Sequence, residues 1–195
     1  MPKYQKPKKL LSYNNFKIKK AIKKGYETAI LHLAPYKLSG LNVCPKASKG
    51  CIASCLNTSG MGAFSTTQNS RINRTKFFRY DRQKFLDQLD YEIKLGVKRA
   101  NNKGLKFAVR LNGTSDLSFE KFIVRDNKNL MELNPSVPFY DYTKNYFRFK
   151  NKIPKNYHIT FSKSESNDDI VNDLINDKKI NIAVVFKKLP KKYLG

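Results

Sequence analysis

Cys44, Cys51 and Cys55 are the three cysteines of this chain, and they fall within twelve residues in the spacing C-x6-C-x3-C. Thiolates are soft ligands and nucleophiles, and three so close together point to a metal or iron–sulfur site on a loop. An odd count strands one thiol after any disulfide, and the spacing is too local to staple a fold. A structural zinc takes four tetrahedral ligands, so three thiolates would need a fourth group: His32, His158, an Asp or water. A [4Fe-4S] cluster usually has four cysteines; held by three, it keeps one iron open to a cofactor or substrate. Cluster, Zn2+ and unmetallated thiols are the three readings of the spacing. Just downstream, Gly60 and Gly62 would let backbone approach a ligand closely, or form a plain turn.

The charge points to the partner. Lys and Arg number 39 against 15 Asp and Glu, a net +24. Such a surplus attracts polyanions, nucleic acid first. An AT-rich coding bias explains the choice of lysine but not the scarcity of acids. Residues 1–24 hold nine lysines and no acid. They read as a basic arm in which Lys19, Lys20, Lys23 and Lys24 contact phosphates, with Leu10, Leu11 and Phe16 tacking it to the body. No apolar run approaches the roughly 18 to 20 residues of a membrane span, and no signal peptide is legible. A host cytoplasmic location is the default expectation.

These residues need elements to position them. Residues 25–195 are long enough for one domain with a core, and 40% of the chain is hydrophobic. The run 28–34 reads as a first strand, followed by the cysteine loop. Residues 66–80 read as a helix with Ile72 and Phe77 or Phe78 inward and its arginines on the other sides. Asp81 is placed to cap a second helix, in which Phe85, Leu89, Ile93 and Val97 recur every fourth residue up to about Ala100. Strands are expected at 105–111, 137–141, 157–162 and 180–186. Helices are expected at 119–133, weakened by Arg125-Asp-Asn127, and at 168–177. Apolar strands alternating with helices imply parallel pairing. The expected fold is therefore α/β, a partial open (β/α) barrel of about five parallel strands.

In such a sheet the C-terminal strand ends converge on one rim, where ligands bind. Polar clusters follow each of the first four strands. Asn112 and Ser115 follow the second, with Asp116 as candidate acid or base, or else a helix cap. Ser162, Ser164 and Asn167 follow the fourth. Arg71 and Arg74 are candidates for a phosphate or carboxylate. Arg110 lies inside a strand and needs an acidic partner, which Asp116 or Asp141 would supply.

A three-cysteine loop after a first strand resembles the layout of radical S-adenosylmethionine enzymes, which implies S-adenosylmethionine as a cofactor. That family spaces its cysteines C-x3-C-x2-C and has a Gly-Gly-Glu-like motif after the second strand. This chain departs on both counts. A more specific resemblance rests on Asn42-Val-Cys-Pro-Lys-Ala-Ser-Lys-Gly-Cys51, Cys55-Leu-Asn-Thr-Ser-Gly60, Ser70-Arg-Ile-Asn-Arg-Thr75, Asp81-Arg82 and Arg110-Leu-Asn-Gly-Thr-Ser-Asp116. Together these are similar to the phage "gene product 88" family, over about residues 28–190. The resemblance implies a phage origin and a three-cysteine core, and supplies no reaction. Three classes of function follow: an iron–sulfur enzyme acting on nucleic acid, a zinc- or cluster-stabilised nucleic-acid binder, and a phage protein that binds an acidic host protein.

Overall fold

The computed structural model describes residues 4–13, 20–176 and 180–190; Phe16 and Lys19 lie outside them. Among these residues six strands form one sheet, in the order in which they occur along the chain. They are β1 (Leu11–Ser12), β2 (Tyr26–Leu31), β3 (Lys106–Arg110), β4 (Phe139–Thr143), β5 (Tyr157–Ser162) and β6 (Asn181–Ala183). Strands β2 to β6 are parallel, and β1 runs antiparallel on the outer edge of β2. Parallel neighbours need long crossovers. Helices α1 (Tyr36–Ser39), α2 (Lys49–Ala53), α3 (Ser65–Tyr80) and α4 (Arg82–Asn101) lie between β2 and β3, α5 (Leu130–Leu133) precedes β4, and α6 (Asp168–Asn176) precedes β6. Because strand order follows chain order, the sheet has no point at which its winding reverses.

Helix α4 forms because Phe85, Leu86, Leu89, Ile93 and Ala100 recur on one face, and that face is buried against β2 and β3. Each large side chain buried there stabilises the fold by about 1.5–3 kcal/mol. The sheet contributes Ala29, Leu31, Phe107, Val109, Phe139, Ile159 and Phe161 to the core. The alternate residues Arg110, Tyr140, Tyr142, His158 and Thr160 point the other way and are half-buried or exposed. No helix among the described residues is long and apolar enough to cross a membrane.

Several expectations are corrected. Residues 4–13 pack on the body, where Leu10 and Leu11 are buried as the expected tacking points. Tyr4 stacks on Phe77 and donates to Asp81. The buried Glu92 carboxylate accepts Leu10 N at 2.8 Å and Leu11 N at 2.9 Å. Asp81 stands at the start of α4 but its side chain makes no capping bond, because it is engaged by Tyr4. The helix expected over 119–133 shrinks to a 3-10 turn (Phe119–Lys121) and α5. Asp126 and Asn127 adopt left-handed φ of 51° and 54°, which a right-handed helix cannot contain. Asn129 restarts the helix with a capping box, its side chain accepting Met131 N and Glu132 N while Glu132 accepts Asn129 N. The last strand ends at Ala183, and Val185 beyond it is 93% exposed.

Candidate functional site

The ends of β3, β4 and β5 and the cysteine loop enclose one cavity of about 320 Å³. Cys44, Cys51 and Cys55 all line it, together with Arg110, Asn112, Ser115 and Asp116 from the end of β3. The end of β4 adds Tyr142, Thr143 and Lys144, and β5 adds Ser162.

The cysteine loop is fastened to two of these strand ends. From the loop after β3, Asp116 N donates to Val43 O at 2.8 Å and the Thr114 hydroxyl to Leu33 O at 2.7 Å. The Cys44 thiol donates in return to Thr114 O at 3.8 Å. From the loop after β5, the Glu165 carboxylate accepts Gly50 N at 2.7 Å and the Ser48 hydroxyl at 2.9 Å. These donors hold the Glu165 carboxyl below its ordinary range, the Gly50 N–H most of all. Ser48 also caps α2, accepting Cys51 N at 3.2 Å.

All three thiols are free. Burial pushes the Cys44 thiol up to about 12, with Asp116, Cys51 and Cys55 adding negative charge nearby. Bringing a cation beside Cys44 would oppose that rise and favour its thiolate. Among the described residues no three His, Cys, Asp or Glu side chains are drawn together tightly enough to hold one ion as they stand.

Beneath the cavity lies a buried polar network. The β3–β4 ladder is a single pair, Val109 with Phe139, and a side chain continues it. Asp141 accepts Asn112 N at 2.7 Å, Asn112 Nδ2 at 3.1 Å and the Tyr157 hydroxyl at 2.7 Å. Asn112 Oδ1 in turn accepts the Ser115 hydroxyl and Leu117 N. Burial raises the Asp141 carboxyl to about 6, against the opposing pull of Tyr157, Asn112 N, Arg110 and Arg148. Arg148 is fully enclosed and donates to both oxygens of Glu120, at 3.0 and 2.8 Å, and to the Tyr157 hydroxyl at 2.9 Å.

The structure brings together some of the expected site residues and separates others. Asp116 lines the cavity and does not cap the 3-10 turn that follows, whose N-cap position is Ser118. The Asp116 oxygens accept the Thr143 hydroxyl at 2.7 Å and Lys144 N at 2.9 Å, so it is a strut between two rim loops. Asp141 is the acidic partner of Arg110, 3.8 Å from its Nε. Ser164 N donates to Asn167 Oδ1, and Asn167 Nδ2 to Ser162 O, so Ser164 and Asn167 shape their own loop away from the cavity. Gly60 and Gly62 do not line it either. A Cβ on Gly62 would lie 2.5 Å from Leu56 O, so tight packing of the 3-10 turn explains that glycine. Arg71, expected on the outside of its helix, is buried and donates to Asn57 Oδ1 at 3.0 Å, bracing the end of the cysteine loop. Arg74 donates to Lys9 O.

Lys20, Lys23 and Lys24 are exposed just before β2, at the end of the sheet opposite the cavity. His32 lies under Gly113, its pKa lowered to about 4 by burial and then by Arg71, Arg74 and Arg110, and it does not line the cavity. His158 is exposed on β5. Sequence reasoning missed Lys46, Lys144, Arg148 and Glu165. The signals for the last two were an arginine set among aromatics in Tyr146-Phe-Arg-Phe149 and an acid in the polar cluster after β5.

The family model described as gene product 88 matches residues 8–194. No curated protein and no solved structure matches the chain significantly. The resemblance to radical S-adenosylmethionine enzymes has no match behind it.

Proposed function

This chain belongs to the gene product 88 family, and from that premise we propose that it is a phage protein that holds a [4Fe-4S] cluster on Cys44, Cys51 and Cys55 and brings nucleic acid to it. One observation carries the reading: three free thiols line the same cavity as the polar C-terminal ends of three parallel strands. The donor set fits, because three soft thiolates favour iron or zinc over hard cations. A single zinc with bonds of about 2.3 Å would need sulfurs about 3.8 Å apart. A cluster binds each thiolate at a different iron. When bound by three thiolates, a cluster supplies an iron with an open coordination position.

Sequential parallel strands support a partial open (β/α) barrel, in which this rim is the ligand-binding end. The protein's own residues then do the positioning. Asp141 and Asn112 fix the loop that faces the thiols, and Asp116 ties it to β4. Lys46, Arg110 and Lys144 place three cations on the cavity wall, where they would meet phosphates. The overall +24 charge supports the same partner.

Anaerobic purification with iron, sulfide and zinc analysis tests the metal. The expected result is brown protein with broad absorbance near ~400 nm and about four irons and four sulfides per chain. Colourless protein with stoichiometric zinc, or with no metal after cluster reconstitution, overturns it. Nucleic-acid binding is expected to weaken steeply with salt; salt-insensitive binding counts against phosphate contacts.

A further inference from the structure

Resting on the nucleic-acid reading above, we propose that the strand brought to the cavity is single-stranded, and that its bases stack on Tyr142 and Phe147 at the cavity mouth. Tyr142 lines the cavity from the end of β4, and Phe147 sits in the 3-10 turn that follows. Both rings are open to solvent, 44% and 57% exposed. Each is accompanied by cations. The Arg110 guanidinium lies 5.1 Å from the Tyr142 centroid. Lys46 Nζ lies 5.7 Å and Lys150 Nζ 5.6 Å from that of Phe147. Arg110 and Lys46 also line the cavity itself.

These cations lie over the rings, and an exposed ring covered only by a side-chain cation suits a nucleotide whose base is free. The base takes the ring face as the cation swings from it onto the adjacent phosphate. In a duplex the bases already stack on one another, so exposed rings gain nothing there. A partner recognised by charge alone, such as an acidic protein, would use the lysines and the arginine but not the rings. Tyr142 lines the cysteine cavity, and Phe147 is linked to it through Lys46, which lies over the Phe147 ring and lines the cavity, so a strand stacked on both rings passes the thiols.

The test uses the full chain and a labelled single-stranded oligonucleotide of about twenty mixed nucleotides, compared with the same sequence as a duplex, by fluorescence anisotropy over a range of salt. Tyr142→Leu and Phe147→Leu keep apolar bulk and remove the π face. Each is expected to weaken single-strand binding roughly five- to a hundredfold. Duplex binding should not change, nor should the salt slope, since no phosphate contact is removed. Tyr142→Phe and Phe147→Tyr should bind as the unaltered protein does. Coincident thermal melts verify that the Leu variants are folded.

If the Leu variants bind single strands like the unaltered protein, or if single strand and duplex are bound equally, the stacking proposal is overturned while nucleic-acid binding stands. If neither nucleic acid binds but a polyglutamate does, both are overturned in favour of an acidic protein partner. Cluster analysis is independent of all these outcomes.

Discussion

Arg148→Met should remove a large part of this protein's stability. The guanidinium is fully enclosed and makes three hydrogen bonds, two of them to the Glu120 carboxylate, whose side chain is 3% exposed. Burial opposes the charge on Arg148, but Tyr157 and Glu120 hold its pKa above the usual range. Methionine fills much of the space and leaves Glu120 as a buried carboxylate without a cation. It also strips the Tyr157 hydroxyl of its donor while that hydroxyl still donates to Asp141. Breaking a buried pair from one side costs about 3–5 kcal/mol, out of a total that is usually about 5–15 kcal/mol. For a chain of this size that is a fall in Tm of roughly 6–20 °C.

Urea unfolding followed by circular dichroism measures it, with an unchanged slope showing that the midpoint shift is a change in stability. The partner variant decides the cause. Adding Glu120→Gln to Arg148→Met removes the stranded charge, so the double variant should be more stable than the sum of the two single effects by about 0.5–3 kcal/mol. A loss below about 1 kcal/mol for Arg148→Met, or strict additivity in the cycle, refutes the argument that this network is held by charge.

Asp141 should leave a signature in the pH dependence. Its carboxyl is raised to about 6 in the folded chain from an ordinary 3.8, so the folded state binds the proton more tightly than the unfolded state. Its contribution to stability is therefore lost as pH rises from about 4 to about 6, by on the order of 3 kcal/mol. The stability of Asp141→Asn relative to the unaltered protein should climb over that window; a flat difference would falsify the assignment. Gly96→Ala places a methyl 2.2 Å from the Phe107 ring. Overpacking of about 1–3 kcal/mol should outweigh the roughly 1 kcal/mol that alanine gains in a helix, and Phe107→Leu should restore Tm; a stabilised single variant would contradict the packing. Glu165→Ala releases Gly50 N and Ser48, so Cys51 should be alkylated faster in metal-free protein under native conditions, as followed by mass spectrometry. Identical rates would show that Glu165 does not hold the loop.

What the sequence reveals here is local, and what it hides is pairing over distance. The stripe Phe85, Leu89, Ile93 is a matter of period, and so is each apolar strand; both lead to a parallel α/β sheet. The polar clusters at the strand ends are equally visible, and all four of them reach the cavity. Glu92 reads as an ordinary surface acid in a helix, yet it fastens Leu10 and Leu11, 82 and 81 residues away. Arg71 looks like one of several outward arginines, and only its burial on Asn57 distinguishes it. The helix expected over 119–133 is interrupted by two residues in the left-handed region, which the run Arg125-Asp-Asn127 only hinted at. Strand β1 is two residues long in a lysine-rich stretch, and its only trace is Leu10-Leu11.

The grip of Glu165 on Gly50 spans 115 residues, and this orders events at the ribosome. At about 5–20 residues per second, the cysteine loop is made roughly 6 to 23 seconds before the side chain that clasps it. For most of that interval β5 is still unmade, and the thiols sit on a segment whose final shape has no partner. The loop is thus completed late although it is synthesised early. A centre assembled on these cysteines would be inserted into an almost finished fold, rather than serve as the nucleus around which the fold grows.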